Sequence, residues 1–255
     1  MLRLVVNMRR SSDRWEAIKA QLDRLRIPAD RVDAVDGRLL SEEEMKGLMS
    51  SVHYSIGREL ERGEIGCFLS HRKCWQELVD SDEKFALIME DDLLLSDRSF
   101  KFMLSDEWIP EGCDLIQLFV FRKQKKYLCD LKEFDLNDGD KLWMPVFPAP
   151  VGTQAYIISR EAAKFALVKS NRFNLPVDEF LFVRSEVSSR FPCYRLNHAV
   201  VMDADVPSEI RKNKKRTKTN FLMEMRRFVE RLKRSIRKKL GEMMGRYVEH
   251  EFDYI

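Results

Sequence analysis

The chain has 255 residues, 44% of them hydrophobic and 34% charged, with ten glycines and eight prolines. That composition suits one large globular domain, alone or with an appendage, and excludes collagen-like and low-complexity chains. The net charge of +3 hides a split: residues 209–247 carry 15 Lys and Arg against 4 Asp and Glu, and the remainder carries 30 against 38. An acidic body is therefore followed by a strongly basic tail.

No apolar run approaches the roughly 18 residues of a membrane span. The stretch from Leu2 to Val6 is too short for a signal peptide and is followed by Arg9 and Arg10, so it is expected to be a first, buried strand. Asp13 opens a helix, with Glu16 three residues on as a capping-box partner, and Pro28 lies beyond its end. A second strand runs over 31–35 and closes at Asp36-Gly37. Ser41 starts another helix, with Glu44 completing Ser-x-x-Glu. Residues 64–79 form a helix with Ile65, Phe68, Leu69, Trp75, Leu78 and Val79 inward.

Residues 85–89 (FALIM) form a continuous apolar strand that stops at Glu90-Asp91-Asp92. Another strand covers 115–121, and Arg122 opens a loop to about Lys141. Residues 153–158 form a further strand, Ser159 caps a helix to Lys169, and 177–184 form a short helix. Strands alternating with helices predict an α/β fold, a mixed or mostly parallel sheet covered by helices. Gly-x-Gly-x-x-Gly and P-loop patterns are absent. The five cysteines are scattered, with no Cys-x-x-Cys pair, so neither a zinc knuckle nor a disulfide framework is expected. Free thiols without a signal peptide point to the cytoplasm.

Glu90-Asp91-Asp92 is the strongest local signal. Ligands bind at the carboxyl ends of strands in open α/β sheets. Three adjacent acids repel one another, and oxygen-rich clusters suit Mg²⁺ or Mn²⁺ bridging to substrate phosphates. The competing reading is a solvated acidic turn capping the next helix.

The stretches VVNMRRSSDRWEAIKAQL, RVDAVDG, GEIGCFLSHRKCW, ALIMEDD, GTQAYIISREAA and PVDEFLF together resemble glycosyltransferase family 25. That family belongs to bacterial lipooligosaccharide synthesis and also includes collagen galactosyltransferases. The resemblance covers residues 2 to 182 or so and implies a GT-A-like fold, a UDP-sugar donor and inversion at the anomeric carbon. Galactose is the first sugar to expect and glucose the second. By the same resemblance, Glu90, Asp91 and Asp92 stand in for the acidic metal motif, with Asp91 and Asp92 as the candidate metal ligands, at least one of which holds the divalent ion on the diphosphate. Where many GT-A enzymes have Asp-x-Asp, this chain has Glu-Asp-Asp.

Breaking the bond to a diphosphate calls for charge stabilisation, and inversion calls for a base to take the acceptor's proton. Asp178 is the first candidate base and Glu179 the second; for Asp178 a helix N-cap role stands equally open. Asn7 and Arg14 flank the first strand-to-helix turn, where the nucleotide is expected to dock. Asp36 and Gly37 are expected at uracil or ribose. Ser70 and His71 are expected near the donor, with a structural role for His71 as the alternative. Gly152, Thr153 and Gln154 are expected near the acceptor, the glycine allowing close backbone approach. His198 is expected to be an ordinary histidine rather than an extra metal ligand. Trp143, in a proline-rich loop, is either core or a stacking platform for an acceptor sugar.

Apolar residues from Phe221 to Tyr247 recur every three or four positions and predict one long amphipathic helix with a basic face. The expected organisation is a catalytic domain over 1–206 and a basic helical extension over 207–255. The extension has three readings. It meets anionic lipid on the inner face of the cytoplasmic membrane, near a lipid-linked saccharide acceptor. It packs on a second copy as a homodimer. It binds nucleic acid, which no accompanying motif supports. The chain is expected to move a hexose from a UDP-sugar to a lipooligosaccharide acceptor as a β-galactosyltransferase. Metal-dependent nucleotidyl or phosphoryl transfer, or a non-catalytic membrane-binding role, is the alternative.

Overall fold

The structure is a computed structural model. It describes residues 1–49, 58–121, 126–204 and 238–254, together with 232, 235 and 236. Its strands are β1 (Leu2–Asn7), β2 (Asp30–Asp33), β3 (Phe85–Glu90), β4 (Leu93–Leu95), β5 (Leu115–Gln117), β6 (Phe119–Val120) and β7 (Lys126–Asp135). They continue as β8 (Lys141–Phe147), β9 (Ala155–Ser159), β10 (Cys193–Leu196), β11 (His198–Ala199), β12 (Val201–Asp203), β13 (Tyr247–Glu251) and β14 (Asp253–Tyr254). The helices are α1 (Ser12–Arg24), α2 (Glu42–Leu48), α3 (Arg62–Asp80), α4 (Ser99–Met103), α5 (Arg160–Lys169), α6 (Val177–Phe182) and α7 (Glu186–Arg190).

Nine strands form one mixed sheet in the order β13-β7-β8-β10-β5-β9-β3-β1-β2. β2, β1 and β3 run parallel, and β9 lies antiparallel between β3 and β5. Successive side chains of a strand alternate between faces, and β1 and β3 divide their residues accordingly. Leu4 and Ile88 join Phe68, Trp75 and Phe180 in a core beneath α3, α5 and α6. Val5, Leu87 and Met89 join Ile18, Leu22 and Phe102 in a second core beneath α1 and α4. Burial on both faces explains why FALIM is apolar throughout. The expected α/β architecture is thus the observed one, and it is consistent with a GT-A-like fold.

Local signals fared well where a cap or a buried stripe fixed them. Ser41 caps α2 with a full capping box to Glu44. The Ser159 hydroxyl accepts the Ala162 N–H at 3.1 Å at the start of α5. The start of α1 is different. Ser11 is its N-cap, no side chain caps it, and the expected Asp13–Glu16 box does not form.

Three further expectations are corrected. The predicted strand over 115–121 is two short strands, with Leu118 between β5 and β6. The predicted loop before Lys141 contains the ten-residue strand β7; residues 122–125 lie outside the described ones. β7 is flanked by β8 and β13, so pairing on both edges overrides its charged composition. Trp143 lies in β8 rather than a loop and stacks on His250, with ring centroids 5.2 Å apart.

The predicted helix to Tyr247 also ends early. Residues 238–243 are helical, but Tyr247–Glu251 form β13, antiparallel to β7. Gly245, with φ of 62°, sits at the break, a conformation that ends helices. Most of the rest of the predicted tail helix, and the basic run at 211–218, lie outside the described residues. Among the described residues no helix is long and apolar enough to cross a membrane. All five cysteines are free thiols.

Candidate active site

The parallel strands bring three segments to one edge. Asn7, the last residue of β1, pairs with Asp33 of β2, and Val6 pairs with Glu90, which ends β3. A cavity of about 770 Å³ opens there. Its walls include Arg14 of α1, the Asp36–Arg38 turn, the first half of α3 with Cys67, Ser70 and His71, and the acids Glu90, Asp91 and Asp92. Segments more than 80 positions apart in the sequence thus meet in one concave site of the size ligand pockets have.

The three acids have separate surroundings. Asp91 is held on both oxygens: Asn7 Nδ2 donates to Oδ2 at 2.6 Å, and Arg14 Nη1 donates to Oδ1 at 3.2 Å. Burial raises the Asp91 carboxyl above its ordinary range, partly offset by those two partners. Glu90 accepts from Thr153 Oγ1 at 2.8 Å and lies 3.6 Å from His71 Nε2. Asp92 has a buried Oδ1 with no hydrogen-bond partner among the described residues. Burial, then the charges of Glu90 and Asp91, push its carboxyl to about 7. A bare acceptor beside two other acids is the arrangement a hard cation relieves, and the donors are oxygens as Mg²⁺ or Mn²⁺ prefers. Asp92 therefore fits the metal expectation; Asp91, as placed, is a partner of Arg14 and Asn7.

The remaining predicted residues divide into committed groups and available ones. Asp36 takes Arg10 at 2.6 Å and Arg38 at 2.7 Å. The Arg38 hydrogen bonds outweigh burial and hold its carboxyl at about 2. Gly37 packs so closely on α3 that a Cβ would collide with the Arg62 carbonyl oxygen. The Ser70 hydroxyl donates to the Gly66 carbonyl at 2.7 Å and accepts the Val35 N–H at 2.8 Å. It fastens the strand-to-turn segment to α3.

On the far side of Glu90, the Gln154 carbonyl accepts the Glu90 N–H at 2.8 Å, while Gln154 Oε1 is buried with no hydrogen-bond partner among the described residues. Asp178 sits in the first turn of α6, where Pro176 is the N-cap. Its Oδ2 accepts the Gly152 N–H at 3.2 Å, and its Oδ1 accepts the Glu179 N–H at 2.8 Å. Burial outweighs those bonds and raises the Asp178 carboxyl. Glu179 is paired with Arg184 at 2.6 Å, whereas Asp178 has no cationic partner among the described residues. His198 lies in β11 and is not among the cavity's lining residues.

Sequence reasoning missed the cavity's other arginines, Arg10, Arg38 and Arg62, and missed Cys67. It also missed Tyr156, whose hydroxyl lies 2.9 Å from both His71 Nδ1 and Trp75 Nε1. The arginines left no signal beyond their proximity to Asp36 and to the start of α3. Tyr156 reads as an ordinary strand residue. Among the described residues, Cys67, His71 and Glu90 place one ligand-type atom each within 4.8 Å of one another.

Comparison with known proteins gives the family of the chain. The model of glycosyltransferase family 25, described as LPS biosynthesis protein, matches residues 1–181. Procollagen galactosyltransferase 2 of Homo sapiens is 33% identical over 196 residues, covering 69% of this chain and 29% of that protein. Lipooligosaccharide biosynthesis protein lic2B of Haemophilus influenzae is 29% identical over 165 residues, covering 63% and 60%. Lacto-N-neotetraose biosynthesis glycosyltransferase LgtE of Neisseria meningitidis is 27% identical over 204 residues, covering 77% and 71%. The chain thus spans under a third of the first of these relatives and about three-fifths of the second. Strands β1 to β3, the acidic motif and α6 up to Leu181 all fall within the matched residues, and on that match the chain belongs to glycosyltransferase family 25.

Proposed function

We propose that the protein is an inverting glycosyltransferase that moves a hexose from a UDP-sugar to a lipooligosaccharide acceptor. Galactose is the first donor sugar to expect, transferred with β configuration, and glucose the second. The observation that carries this reading is the unpartnered, buried Oδ1 of Asp92, set beside Glu90 and Asp91 in a cavity that four arginines also line. The arginines, Arg10, Arg14, Arg38 and Arg62, suit a diphosphate, whose oxygens take guanidinium forks. Asp92, with Asp91 beside it, would hold a divalent ion, which would supply Lewis-acid stabilisation to the diphosphate leaving group.

The chain's own groups do the rest. Asp178 takes the proton of the attacking acceptor hydroxyl. Its burial supports that role, because a raised carboxyl is better matched to proton abstraction near neutral pH. The Gly152 N–H and the Glu179 N–H orient its two oxygens. Thr153 and Gln154, next in sequence, lie between Asp178 and Glu90 in this hydrogen-bonded chain, which supports their assignment to the sugar-binding side.

The lineage of the acceptor is supported by lic2B and LgtE, whose names place them in lipooligosaccharide and lacto-N-neotetraose biosynthesis. A lipid-linked acceptor also gives the tail a role. Leu232, Ile236, Leu240 and Met243 recur at helical spacing and are all exposed, which supports an apolar stripe for the inner face of the cytoplasmic membrane or for a second copy.

The test is thermal unfolding of the full chain with UDP-galactose, UDP-glucose, CMP-sialic acid or ATP, each with and without Mn²⁺. A ligand at about 100 times its dissociation constant adds about 2.7 kcal/mol of stability. A Mn²⁺-dependent shift with a UDP-hexose, lost in Asp92→Asn, is expected. A shift with ATP and none with any UDP-sugar overturns the reading in favour of nucleotidyl or phosphoryl transfer.

A further inference from the structure

Among the described residues, one atom of His71 has no hydrogen-bond partner. The residue is wholly buried and lines the cavity, and that atom is its Nε2. Its other nitrogen is fully engaged. Nδ1 lies 2.9 Å from the hydroxyl oxygen of Tyr156, and Trp75 Nε1 lies 2.9 Å from the same oxygen.

Counting donors fixes the proton. An indole nitrogen only donates, so the Tyr156 oxygen accepts from Trp75. Tyr156 is also wholly buried, and among the described residues its hydroxyl hydrogen has His71 Nδ1 as its acceptor. A proton on Nδ1 would leave that hydroxyl hydrogen orphaned in the core, which folded proteins avoid. Nδ1 is therefore bare, and the proton sits on Nε2. The same count disfavours the doubly protonated ring.

That tautomer decides what the Cys67–His71–Glu90 cluster takes. Its atoms are close enough to share an ion, but an ion needs the lone pair of the nitrogen that here carries hydrogen. What the cavity meets instead is a donor facing an acceptor. Nε2–H and Glu90 Oε1 are 3.6 Å apart, too far for a good bond to each other. A hydroxyl group both accepts and donates, so it can satisfy the two at once.

We propose that Trp75 and Tyr156 lock His71 as its Nε2–H tautomer, and that Nε2–H and the Glu90 carboxylate together grip one hydroxyl of the nucleotide sugar, on its ribose or its hexose. Tyr156 is then a positioning residue and His71 a specificity residue. The lock stands on its own; the grip rests on the UDP-sugar reading above. Neither partner suits an anionic oxygen as well as a hydroxyl, because Glu90 would repel it.

Two measurements test the pair separately. The first is ¹⁵N NMR of the full chain labelled at its histidines, four in all. The His71 signals are assigned by their loss in His71→Gln or, should that variant not fold, by replacing the other three in turn. The expected pattern is a neutral ring protonated at Nε2, and Tyr156→Phe is expected to release it into a mixture of tautomers. A ring protonated at Nδ1, or charged at pH 7, overturns the lock whether or not any nucleotide binds.

The second is calorimetric binding of UDP-galactose, its 2′-deoxyribose analogue and its deoxyhexose analogues to the wild type and to His71→Gln. Loss of one hydroxyl is expected to weaken wild-type binding about tenfold and to leave His71→Gln indifferent to that same hydroxyl. The analogue that shows this tells ribose from hexose. A His71→Gln variant that still discriminates every hydroxyl as the wild type does overturns the grip. Failure of every UDP-sugar to bind the wild type would instead count against the parent reading and leave the NMR result to decide the lock.

Discussion

Asp178 and Gly152, 26 positions apart, are joined by a single hydrogen bond, from the Gly152 N–H to Asp178 Oδ2 at 3.2 Å. The backbone of Gly152 can make it because φ there is 101°, a value side chains other than hydrogen resist. Its carbonyl is held from the other side by Gln117 Nε2, which also donates to the Val151 carbonyl at 3.1 Å. Gln117 in turn accepts from Arg195 Nε at 2.6 Å, and Arg195 is wholly buried with its guanidinium 4.5 Å from the centre of the Tyr127 ring. A chain of buried contacts thus runs from β7 and β10 to the candidate base.

Gly152→Ala tests this chain. A Cβ there meets Gln154 Oε1 at 2.5 Å and Phe119 at 3.1 Å, on top of the backbone strain. The expected cost is about 1–3 kcal/mol of stability, read by denaturant unfolding. The transferase rate measured well below the melting temperature is expected to fall further than the fraction unfolded accounts for, since Asp178 loses its orienting donor.

Asp178→Asn separates the two candidate bases from each other. It is expected to keep the fold and lower kcat by about 10²–10⁴ fold, the usual worth of a general base. Glu179→Gln breaks a partly exposed pair with Arg184 and is expected to cost under about 1 kcal/mol with little change in kcat. Steady-state kinetics on both variants, with circular dichroism as the folding control, reads the difference. Equal losses in the two would remove Asp178 from its role.

Asp36 gives a pH-dependent prediction. Its folded carboxyl lies at about 2, below the ordinary 3.8, because Arg38 and Arg10 favour the charged form. A lowered carboxyl contributes stability above its unfolded value, and loses it as pH falls from about 4 towards 2. Asp36→Asn is therefore expected to cost about 2 kcal/mol at pH 7 and well under about 1 kcal/mol at pH 2, where the folded carboxyl is half protonated. Urea unfolding across pH 2–7 checks it; a cost independent of pH would contradict the ion-pair account.

Gly66→Ala probes the wall between α3 and the Asp36–Arg38 turn. A Cβ at Gly66 meets the Val35 carbonyl oxygen at 2.5 Å and the Gly37 nitrogen at 2.7 Å, both backbone atoms that cannot rotate away. Overpacking of this kind costs about 1–3 kcal/mol, even though alanine favours helices more than glycine. A thermal melt that shows Gly66→Ala more stable than the wild type would mean the turn does not rest on α3 as described.

Much of this molecule was legible in the sequence because it is written locally. An apolar run ended by acids marks a buried strand and the charged edge where it stops, and both β3 and Glu90–Asp92 follow that pattern. Ser-x-x-Glu at Ser41 marks a helix start whatever surrounds it. Four of the six family stretches supply residues to the cavity's walls, while GTQAYIISREAA and PVDEFLF supply none. What the sequence by itself could not decide were the partners of groups far apart in the chain. The charged segment that became β7 is a strand because β8 and β13 supply its hydrogen bonds, and no local pattern announces two partners. The carboxylates of Asp36, Asp91, Asp92 and Glu179 look alike as letters. Only the tertiary structure gives the first, second and last their arginines and, among the described residues, leaves Asp92 Oδ1 without a hydrogen bond, because the energy of a charge depends on burial and neighbours rather than on residue type. The proton on His71 is settled the same way, by Trp75 one turn along α3 and by Tyr156, 85 positions distant.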